Sequence, residues 1–159
     1  MEQNHEFLFV CDKTNSGKTL GQSRPPPVYV SVGICLFPEK FRILEHPRAL
    51  DDVCRAMSET VQNQNVELVL GAAIGGILIA GGVGRYLDVK HIFSERVDGK
   101  MELRRGFSIT KRQRIIIVED IITTGGSVFE LIQLAKDYEA EIIHVVNLVD
   151  RSSGGVNFE

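Results

Sequence analysis

The feature that most constrains the fold is a series of short apolar runs, rich in β-branched residues, that alternate with helical stretches. "ELVL", "VKHIF", "RIIIVE" and "EIIHVVNLV" are typical of strands buried on both faces. Between the last two runs, Val128, Leu131, Ile132 and Ala135 follow the i, i+3, i+4, i+7 spacing of one helix face. Strands joined by helices predict an α/β fold, with a parallel sheet flanked by helices and right-handed crossovers.

Upstream of these runs, "HPRALDDVCRAMSETV" predicts a helix with Pro47 near its start and Leu50, Val53, Cys54, Met57 and Val61 on its apolar face. The preceding third is less regular, with a proline-stiffened linker leading into a strand-like run in "SRPPPVYVSVGICLF". At 159 residues the chain fits one domain. We divide it into an N-terminal segment, residues 1–44, and a core, residues 45–159.

Composition and charge exclude several classes of function. The net charge of −3 argues against binding of nucleic acid or of an anionic membrane surface. The three cysteines, Cys11, Cys35 and Cys54, and the four scattered histidines lack metal-ligand spacing. They predict reduced thiols, a cytoplasmic protein and no metal site made by the protein alone. The start, "MEQNHEFLFV", does not read as a signal peptide.

Two segments imitate unrelated motifs. "LVLGAAIGGILIAGGVG", Leu68 to Gly84, is nearly apolar enough for a membrane span, but its glycines divide it into a strand and a helix. "NSGKT", Asn15 to Thr19, resembles the end of a phosphate-binding P-loop, yet Asp12 stands where the first glycine is required. We therefore expect neither a membrane protein nor a P-loop nucleotide site.

The stretch "IIIVEDIITTGGS", Ile115 to Ser127, carries the chemistry. Its glycines let the backbone approach a ligand, and the loop leads into a helix whose N-terminus attracts phosphate. We expect Ser127 to cap that helix, with Glu130 completing a capping box. Glu119 and Asp120 would repel a phosphate, so they predict a ligand whose hydroxyls lie one sugar-length from its phosphate. A ribose 5′-phosphate meets both requirements.

Ligands of open α/β sheets bind beyond the carboxyl ends of the strands. Three segments should meet there: Gly71–Gly76, Glu119–Ser127, and the stretch after Val149 that begins "DRSSGG".

These residues resemble a known family. "IIIVEDIITTGGS" is similar to the phosphoribosyl-diphosphate loop of type I phosphoribosyltransferases. "LVLGAAIGGILIA", "IFSERVDGKMELRRGF" and "LVDRSSGG" resemble the pyrophosphate loop, the flexible catalytic loop and the orotate-contacting end of orotate phosphoribosyltransferases. The resemblance covers Glu45 to Gly155. It implies the type I phosphoribosyltransferase fold, with residues 1–44 as a small hood.

The resemblance also implies an activity: transfer of phosphoribose from its diphosphate to orotate, giving orotidine 5′-monophosphate and pyrophosphate. It implies a catalytic role for Glu119 and Asp120, and for Arg96 and Lys100 on a mobile lid, with Arg104 and Arg105 as further candidates. Arg151 would bind the orotate carboxylate. The implied substrate-binding residues are Gly71, Ala72, Ala73, Gly75, Glu119, Asp120, Ile121, Ile122, Thr123, Thr124, Gly125, Gly126, Ser127 and Arg151.

Mg²⁺, held mainly by the substrate diphosphate, is the implied cofactor, and a homodimer with the lid acting across its interface is the implied assembly. Two alternatives stay open. One is a phosphoribosyltransferase for a purine or another pyrimidine. The other is a non-catalytic regulator that binds phosphoribosyl diphosphate, suggested by "NSGKTLGQSRPPPVYV", which departs from the compact N-terminal turn of the family.

Overall fold

A computed structural model of the chain describes the backbone of residues 9–11, 28–33 and 41–152, and the side chains of residues 43–152. "NSGKT" and the end of the "DRSSGG" stretch lie outside these residues. In chain order the elements are β1 (Phe9–Cys11), β2 (Val28–Gly33), α1 (Phe41–Glu45), α2 (Pro47–Glu59), β3 (Leu68–Ala72), α3 (Gly75–Leu87), β4 (Lys90–Val97), β5 (Lys100–Leu103), β6 (Arg114–Ile122), α4 (Gly126–Asp137) and β7 (Glu141–Asp150).

The strands form a single sheet in the order β1-β2-β7-β6-β3-β4-β5. The five inner strands run parallel, while β1 and β5 pair antiparallel with their neighbours at the two edges. This confirms the predicted parallel sheet. Because β2 pairs with β7, part of residues 1–44 lies in the same sheet as the core strands. The division of the chain at residue 44 stays a prediction.

Side chains from alternate positions of the inner strands pack on opposite faces of the sheet. Ile116 and Val118 pack with α2 and α3 on one face, whereas Ile115 and Ile117 pack with α4 on the other. All four are 0% exposed, and burying each contributes about 1.5–3 kcal/mol. The absence of polar alternation in "RIIIVE" thus has a direct physical cause, since helices cover both faces of β6.

The helices bury the apolar faces that the sequence predicts. Val128, Leu131, Ile132 and Ala135 of α4 are all buried. In α2, Pro47 stands at the first turn, where its missing N–H is not needed, and Val53, Cys54, Met57 and the following Val61 are buried. Leu50 is half-buried against the same core.

The apolar stretch from Leu68 to Gly84 divides into β3 and α3, as predicted. Its glycines permit close packing: a β-carbon on Gly71 would lie 2.5 Å from the carbonyl oxygen of Gly76. None of the helices in the described part of the chain has the length and apolar character needed to cross a membrane.

The polar stretch from Ser94 to Gly106, which the family resemblance implies is a mobile lid, contains a β-hairpin. Strand β4 continues to Val97, turns at Asp98 and Gly99, and returns as β5. Both turn residues have positive φ, 48° and 85°, as a tight two-residue hairpin requires. The Asp-Gly pair in this stretch is the sequence signal for such a hairpin. We missed it because the surrounding residues are polar.

Candidate active site

The order of strands reverses between β3 and β6. From β3 the chain crosses through α3 to β4 on one side, and from β6 it crosses through α4 to β7 on the other. The two helices cover opposite faces of the sheet. A crevice therefore opens between the carboxyl ends of β3 and β6, the position where open α/β sheets bind their ligands.

Glu119 and Asp120 lie at this crevice within β6, which continues three residues beyond the predicted strand "RIIIVE" to Ile122. Pairing between β3 and β6 ends at Val118, while β6 continues along β7 to Ile122. From Glu119 to Ile122, β6 therefore has a neighbouring strand on one side only. Sequence reasoning ended this strand too early because carboxylates rarely lie on buried strands.

The two carboxylates are held by the backbone of their own strand. The amide of Asp120 donates to Oε1 of Glu119 at 3.1 Å, and the amide of Ile121 donates to Oδ1 of Asp120 at 2.8 Å. Glu119 is buried, at 6% exposure, and Asp120 is half-buried. Hydrogen bonds from backbone amides fix the orientation of both carboxylates.

Thr123 to Ser127 follow as a short loop that enters α4. Gly125 is the N-cap residue with φ 79°, in the left-handed region that favours glycine. The helix starts at Gly126, so Ser127 is its second residue and does not cap it; the predicted capping box is wrong. Gly125 has no side chain with which to cap α4. Among the first-turn amides, that of Gly126 donates to Oγ1 of Thr124 at a long 3.4 Å. The start of α4 can still receive an anion, and glycine rather than serine makes the close approach possible.

A small cleft of about 60 Å³ lies over this loop. It is lined by Glu119, Ile121, Ile122, Thr123, Thr124, Gly125, Gly126, Ser127 and Val128. Thr123 and Thr124 are exposed, so their hydroxyls are accessible from solvent, whereas the Ile122 side chain is buried and only its backbone can face a ligand. The cleft combines backbone amides, hydroxyls and one carboxylate, a set that suits a phosphate group with a neighbouring hydroxyl.

The segment after β3 approaches the same acids. Gly71 and Ala72 are buried in the strand, the amide of Ala73 donates to the carbonyl oxygen of Ser94 at 2.9 Å, and Gly75 begins α3. Gly75 lies so close to Asp120 that a β-carbon there would be 2.5 Å from its carboxyl carbon. The peptide bond before the exposed Ile74 is cis. The N-terminus of α3 and the Asp120 carboxylate therefore share one end of the crevice.

The end of β7 completes the predicted edge. The amide of Arg151 donates to the carbonyl oxygen of Ile122 at 2.8 Å, and the Arg151 residue is exposed. Asp150 accepts hydrogen bonds from the amide and the hydroxyl of Ser152 at 2.8 and 2.6 Å. All three predicted segments thus converge.

Of the predicted lid cations, Arg96 and Lys100 lie on the β4–β5 hairpin, and Arg104 and Arg105 directly follow it. Acidic side chains hold two of these arginines. Arg96 donates to the carbonyl oxygen of Gly99 at 2.8 Å and pairs with Glu130 of α4, also at 2.8 Å. Arg105 makes two hydrogen bonds to Glu95, at 2.7 and 2.9 Å, which lower the pKa of the Glu95 carboxyl. Lys100 is exposed at the start of β5. The sequence offered no signal that Glu130 would be the partner of Arg96 rather than part of a capping box.

The carboxylates at the crevice are the candidate metal ligands of the site. Within the described residues, no group of three or more histidine, cysteine, aspartate or glutamate side chains converges as a metal site. Glu119 and Asp120 nevertheless place carboxylate oxygens at the crevice, and oxygen is the donor that Mg²⁺ prefers. These two residues therefore fit a Mg²⁺ ion that takes most of its ligands from a bound substrate.

Comparison with known proteins decides the family. The sequence matches the model of the phosphoribosyl transferase domain over residues 41–157. The chain belongs to the phosphoribosyl transferase domain family. The matched range contains the crevice, the cleft and the hairpin.

Several curated relatives of this phosphoribosyl transferase domain are named orotate phosphoribosyltransferase. The protein of Caldicellulosiruptor saccharolyticus is 42% identical over 115 residues, which cover 72% of this chain and 60% of that protein. For Desulforamulus reducens the identity is 44% over 116 residues, covering 73% and 61%. For Chlorobium phaeobacteroides it is 46% over 115 residues, covering 72% and 60%. The chain thus spans about 60% of the length of the curated relatives it matches.

Solved structures support the fold of the phosphoribosyl transferase domain. Adenine phosphoribosyltransferase from Rhodothermus marinus superposes with a TM-score of 0.61 at 22% identity, covering 68% of this chain and 70% of that one. UMP synthase from Leishmania donovani superposes with a TM-score of 0.60 at 22% identity, covering 71% of this chain and 25% of that one. The predicted type I phosphoribosyltransferase fold is confirmed.

Proposed function

We propose that this chain is an enzyme, an orotate phosphoribosyltransferase that transfers phosphoribose from 5-phosphoribosyl 1-diphosphate to orotate. The observation that carries the proposal is the meeting of Asp120 with the start of α3 at the switch point of the sheet, beside an uncapped helix N-terminus. This arrangement offers separate positions for a ribose, a 5′-phosphate and a pyrophosphate. The identities of 42–46% to orotate phosphoribosyltransferases support orotate as the acceptor.

The 5′-phosphate binds in the loop from Ile121 to Ser127. The amides at the start of α4 point toward the phosphate, and the helix dipole adds a partial positive charge. Thr123 and Thr124 donate their hydroxyls, and Thr123 also reaches toward orotate. Each charge-assisted hydrogen bond contributes about 1.5–3 kcal/mol, so a few of them give micromolar affinity.

Glu119 and Asp120 accept hydrogen bonds from the ribose hydroxyls. The bond from the anomeric carbon to pyrophosphate breaks, and pyrophosphate leaves with the electron pair. A bond from that carbon to a ring nitrogen of orotate forms, and the proton of that nitrogen passes to pyrophosphate or to water. Positive charge that develops on the ribose is stabilised by the two carboxylates, which the strand already orients. Their contribution is electrostatic and positional, with no proton transfer required of them.

The pyrophosphate lies against the segment Gly71, Ala72, Ala73 and Gly75, where backbone can approach it closely. Glu119 and Asp120 would lie beside a Mg²⁺ ion held mainly by the substrate diphosphate, and that ion would supply positive charge to the leaving group. Arg96 and Lys100 of the hairpin add further positive charge. For Arg96 this requires release from Glu130, since the two side chains are paired in this structure.

Arg151 binds the orotate carboxylate through its planar guanidinium group, which matches a carboxylate with two parallel hydrogen bonds. Its backbone bond to Ile122 places it beside the phosphate cleft, which supports this assignment.

We further propose that the protein acts as a cytoplasmic homodimer, with the hairpin of one protomer serving the site of its partner. The neutral, buried Cys54 thiol, whose pKa burial raises to about 11, is consistent with a reducing compartment. Sedimentation with and without orotate and the diphosphate tests the dimer.

The decisive experiment follows the ultraviolet absorbance of orotate after mixing with phosphoribosyl diphosphate and Mg²⁺. The expected result is turnover by the wild-type chain that is nearly abolished by Asp120→Asn, a variant that keeps shape and volume. Adenine and hypoxanthine are offered in parallel; turnover of either in preference to orotate would move the proposal to another base. Calorimetric binding of the diphosphate without any turnover would indicate a regulator.

A further inference from the structure

Asn147 is a polar residue in the middle of the apolar strand β7. Its side chain is fully buried, at 0% exposure, and neither Nδ2 nor Oδ1 has a hydrogen-bond partner among the described residues. Burying an amide without partners costs free energy, and leucine would fill a similar volume without that cost. A group of this kind in a native core calls for a specific explanation.

The register of the sheet places Asn147 beside Glu119. The two residues are direct partners in the parallel pairing of β6 with β7. The pair two residues earlier, Ile117 and Val145, packs into the core cluster on the α4 face, and side chains two residues apart on a strand share a face. Asn147 and Glu119 therefore project to the same face from strands about 4.8 Å apart.

Glu119 separates Asn147 from the ligand cleft. Glu119 lines the cleft over the α4 loop, whereas Asn147 is not among the lining residues and has no exposed surface. Asn147 can thus act on a bound ligand through Glu119. An ionised carboxylate accepts hydrogen bonds and donates none, so the complementary group on Asn147 is its NH₂, which has two donors.

We propose that Asn147 is a positioning residue for Glu119. When a ribose hydroxyl donates to the Glu119 carboxylate, the Asn147 side chain rotates and donates an N–H to the same carboxylate from behind. That bond holds the carboxylate toward the ligand and satisfies the buried amide. The inference rests on the proposed function in one respect, the assignment of ribose to Glu119, and it extends that site by one residue.

Asn147→Leu tests this role, with ribose 5-phosphate as the probe in calorimetric titration. We expect its dissociation constant to rise by roughly 10- to 100-fold, the range that loss of one charge-assisted hydrogen bond gives. We expect the unfolding temperature to stay level or rise, because an unpaired buried amide has been removed. In steady-state kinetics kcat/KM for the diphosphate should fall while KM for orotate stays unchanged. If Asn147→Leu does not fold, Asn147→Ala removes the same amide without adding volume.

Two comparisons separate positioning from a merely structural role. In a Glu119→Gln background the Asn147→Leu change should have little further effect on ribose 5-phosphate binding, because the two residues act as a unit. Ser58→Ala removes another buried polar side chain, at 5% exposure on α2, which packs on the face of the sheet opposite α4. It should leave the dissociation constant at the wild-type value.

Wild-type turnover of orotate, measured alongside, keeps the two proposals apart. Absent turnover with Asn147-dependent binding of ribose 5-phosphate rejects the proposed reaction and supports the positioning role. The inference would be overturned if Asn147→Leu bound ribose 5-phosphate as tightly as the wild type, or if its effect persisted undiminished in the Glu119→Gln background. Equal changes in both KM values, or no binding of ribose 5-phosphate by the wild type, would also overturn it.

Discussion

Replacing Gly75 with alanine should displace Asp120 without unfolding the protein. An ideal β-carbon at position 75 would overlap Oδ2 of Asp120 and lie 2.5 Å from its carboxyl carbon. Ordinary contact begins at 3.4 Å, so the carboxyl group must recede from 2.5 Å to at least 3.4 Å, about 0.9 Å. Since the backbone of Asp120 is fixed between Glu119 and Ile121 in β6, the side chain must make this movement.

The magnitude follows from what the movement breaks. Oδ1 of Asp120 accepts the Ile121 amide at 2.8 Å, and losing one hydrogen bond to a charged group costs about 1.5–3 kcal/mol. A misplacement of about 1 Å at a reacting centre can cost on the order of 100-fold in rate. We therefore expect kcat/KM for the diphosphate to fall by roughly 100-fold. Helix α3 itself should tolerate the change, because alanine has a higher helix propensity than glycine.

The assay separates the ribose site from the pyrophosphate site. Calorimetry with ribose 5-phosphate reports on the site that contains Asp120, whereas pyrophosphate reports on the segment that contains Gly75. The displacement of Asp120 predicts loss of ribose 5-phosphate binding. Gly81→Ala is the matched control on the same helix, since its β-carbon would meet His91 Nε2 at an ordinary 3.7 Å. The control should match the wild type in both titrations and in turnover.

Wild-type affinity for ribose 5-phosphate in Gly75→Ala would refute the reasoning. If only pyrophosphate binding were lost, the glycine would serve the leaving group directly and the contact with Asp120 would have no functional consequence.

Three further predictions concern single residues. Arg151→Ala should raise KM for orotate at least 10-fold with little change in KM for the diphosphate; equal changes would contradict the carboxylate pairing. Gly82→Ala should lower the free energy of unfolding by about 1–3 kcal/mol in chemical denaturation, because its β-carbon would lie 2.8 Å from that of buried Cys54; unchanged stability would show that α2 and α3 can separate freely. Burial raises the pKa of the Cys54 thiol from 9.0 to about 11, so the native state retains the proton longer than the unfolded state. The contribution of this thiol to the free energy of unfolding should fall as the pH rises from 9 to 11. Chemical denaturation of the wild type and of Cys54→Ala across this pH range checks it, because the variant should lack that decline.

The fold was accessible from the sequence where burial dictates the residue types. Strand β6 is covered by helices on both faces, so its isoleucines alternate with no polar residues, and α4 carries the strict spacing of a helix with one buried face. Such patterns arise from solvent exclusion alone, so they can be read from the sequence without knowing which strands are neighbours in the sheet. The predicted meeting of three segments then followed from the shared direction of parallel strands.

The remaining features depend on tertiary context. The β4–β5 hairpin is polar because β5 lies at the edge of the sheet, so its sequence resembles that of a loop. Ser127 and Glu130 match a capping box in spacing, yet Gly125 takes the cap position and Glu130 pairs with Arg96, 34 residues away in sequence. Asn147 was passed over within "EIIHVVNLV" because a single polar residue does not disturb an apolar run. Its partner strand becomes known only from the register.

The two short antiparallel strands at the margins of the sheet have a consequence for solubility. The inner strands are rich in isoleucine and valine, a composition that pairs readily with strands of other molecules. β1 and β5 end the sheet on either side, and β5 presents exposed Lys100 and Glu102 along its short length. A charged strand of four residues is a poor template for further pairing. The hairpin proposed to bring positive charge to the substrate therefore also protects the protein from aggregation, and changes made there to tune catalysis will alter the concentration at which the protein stays monodisperse.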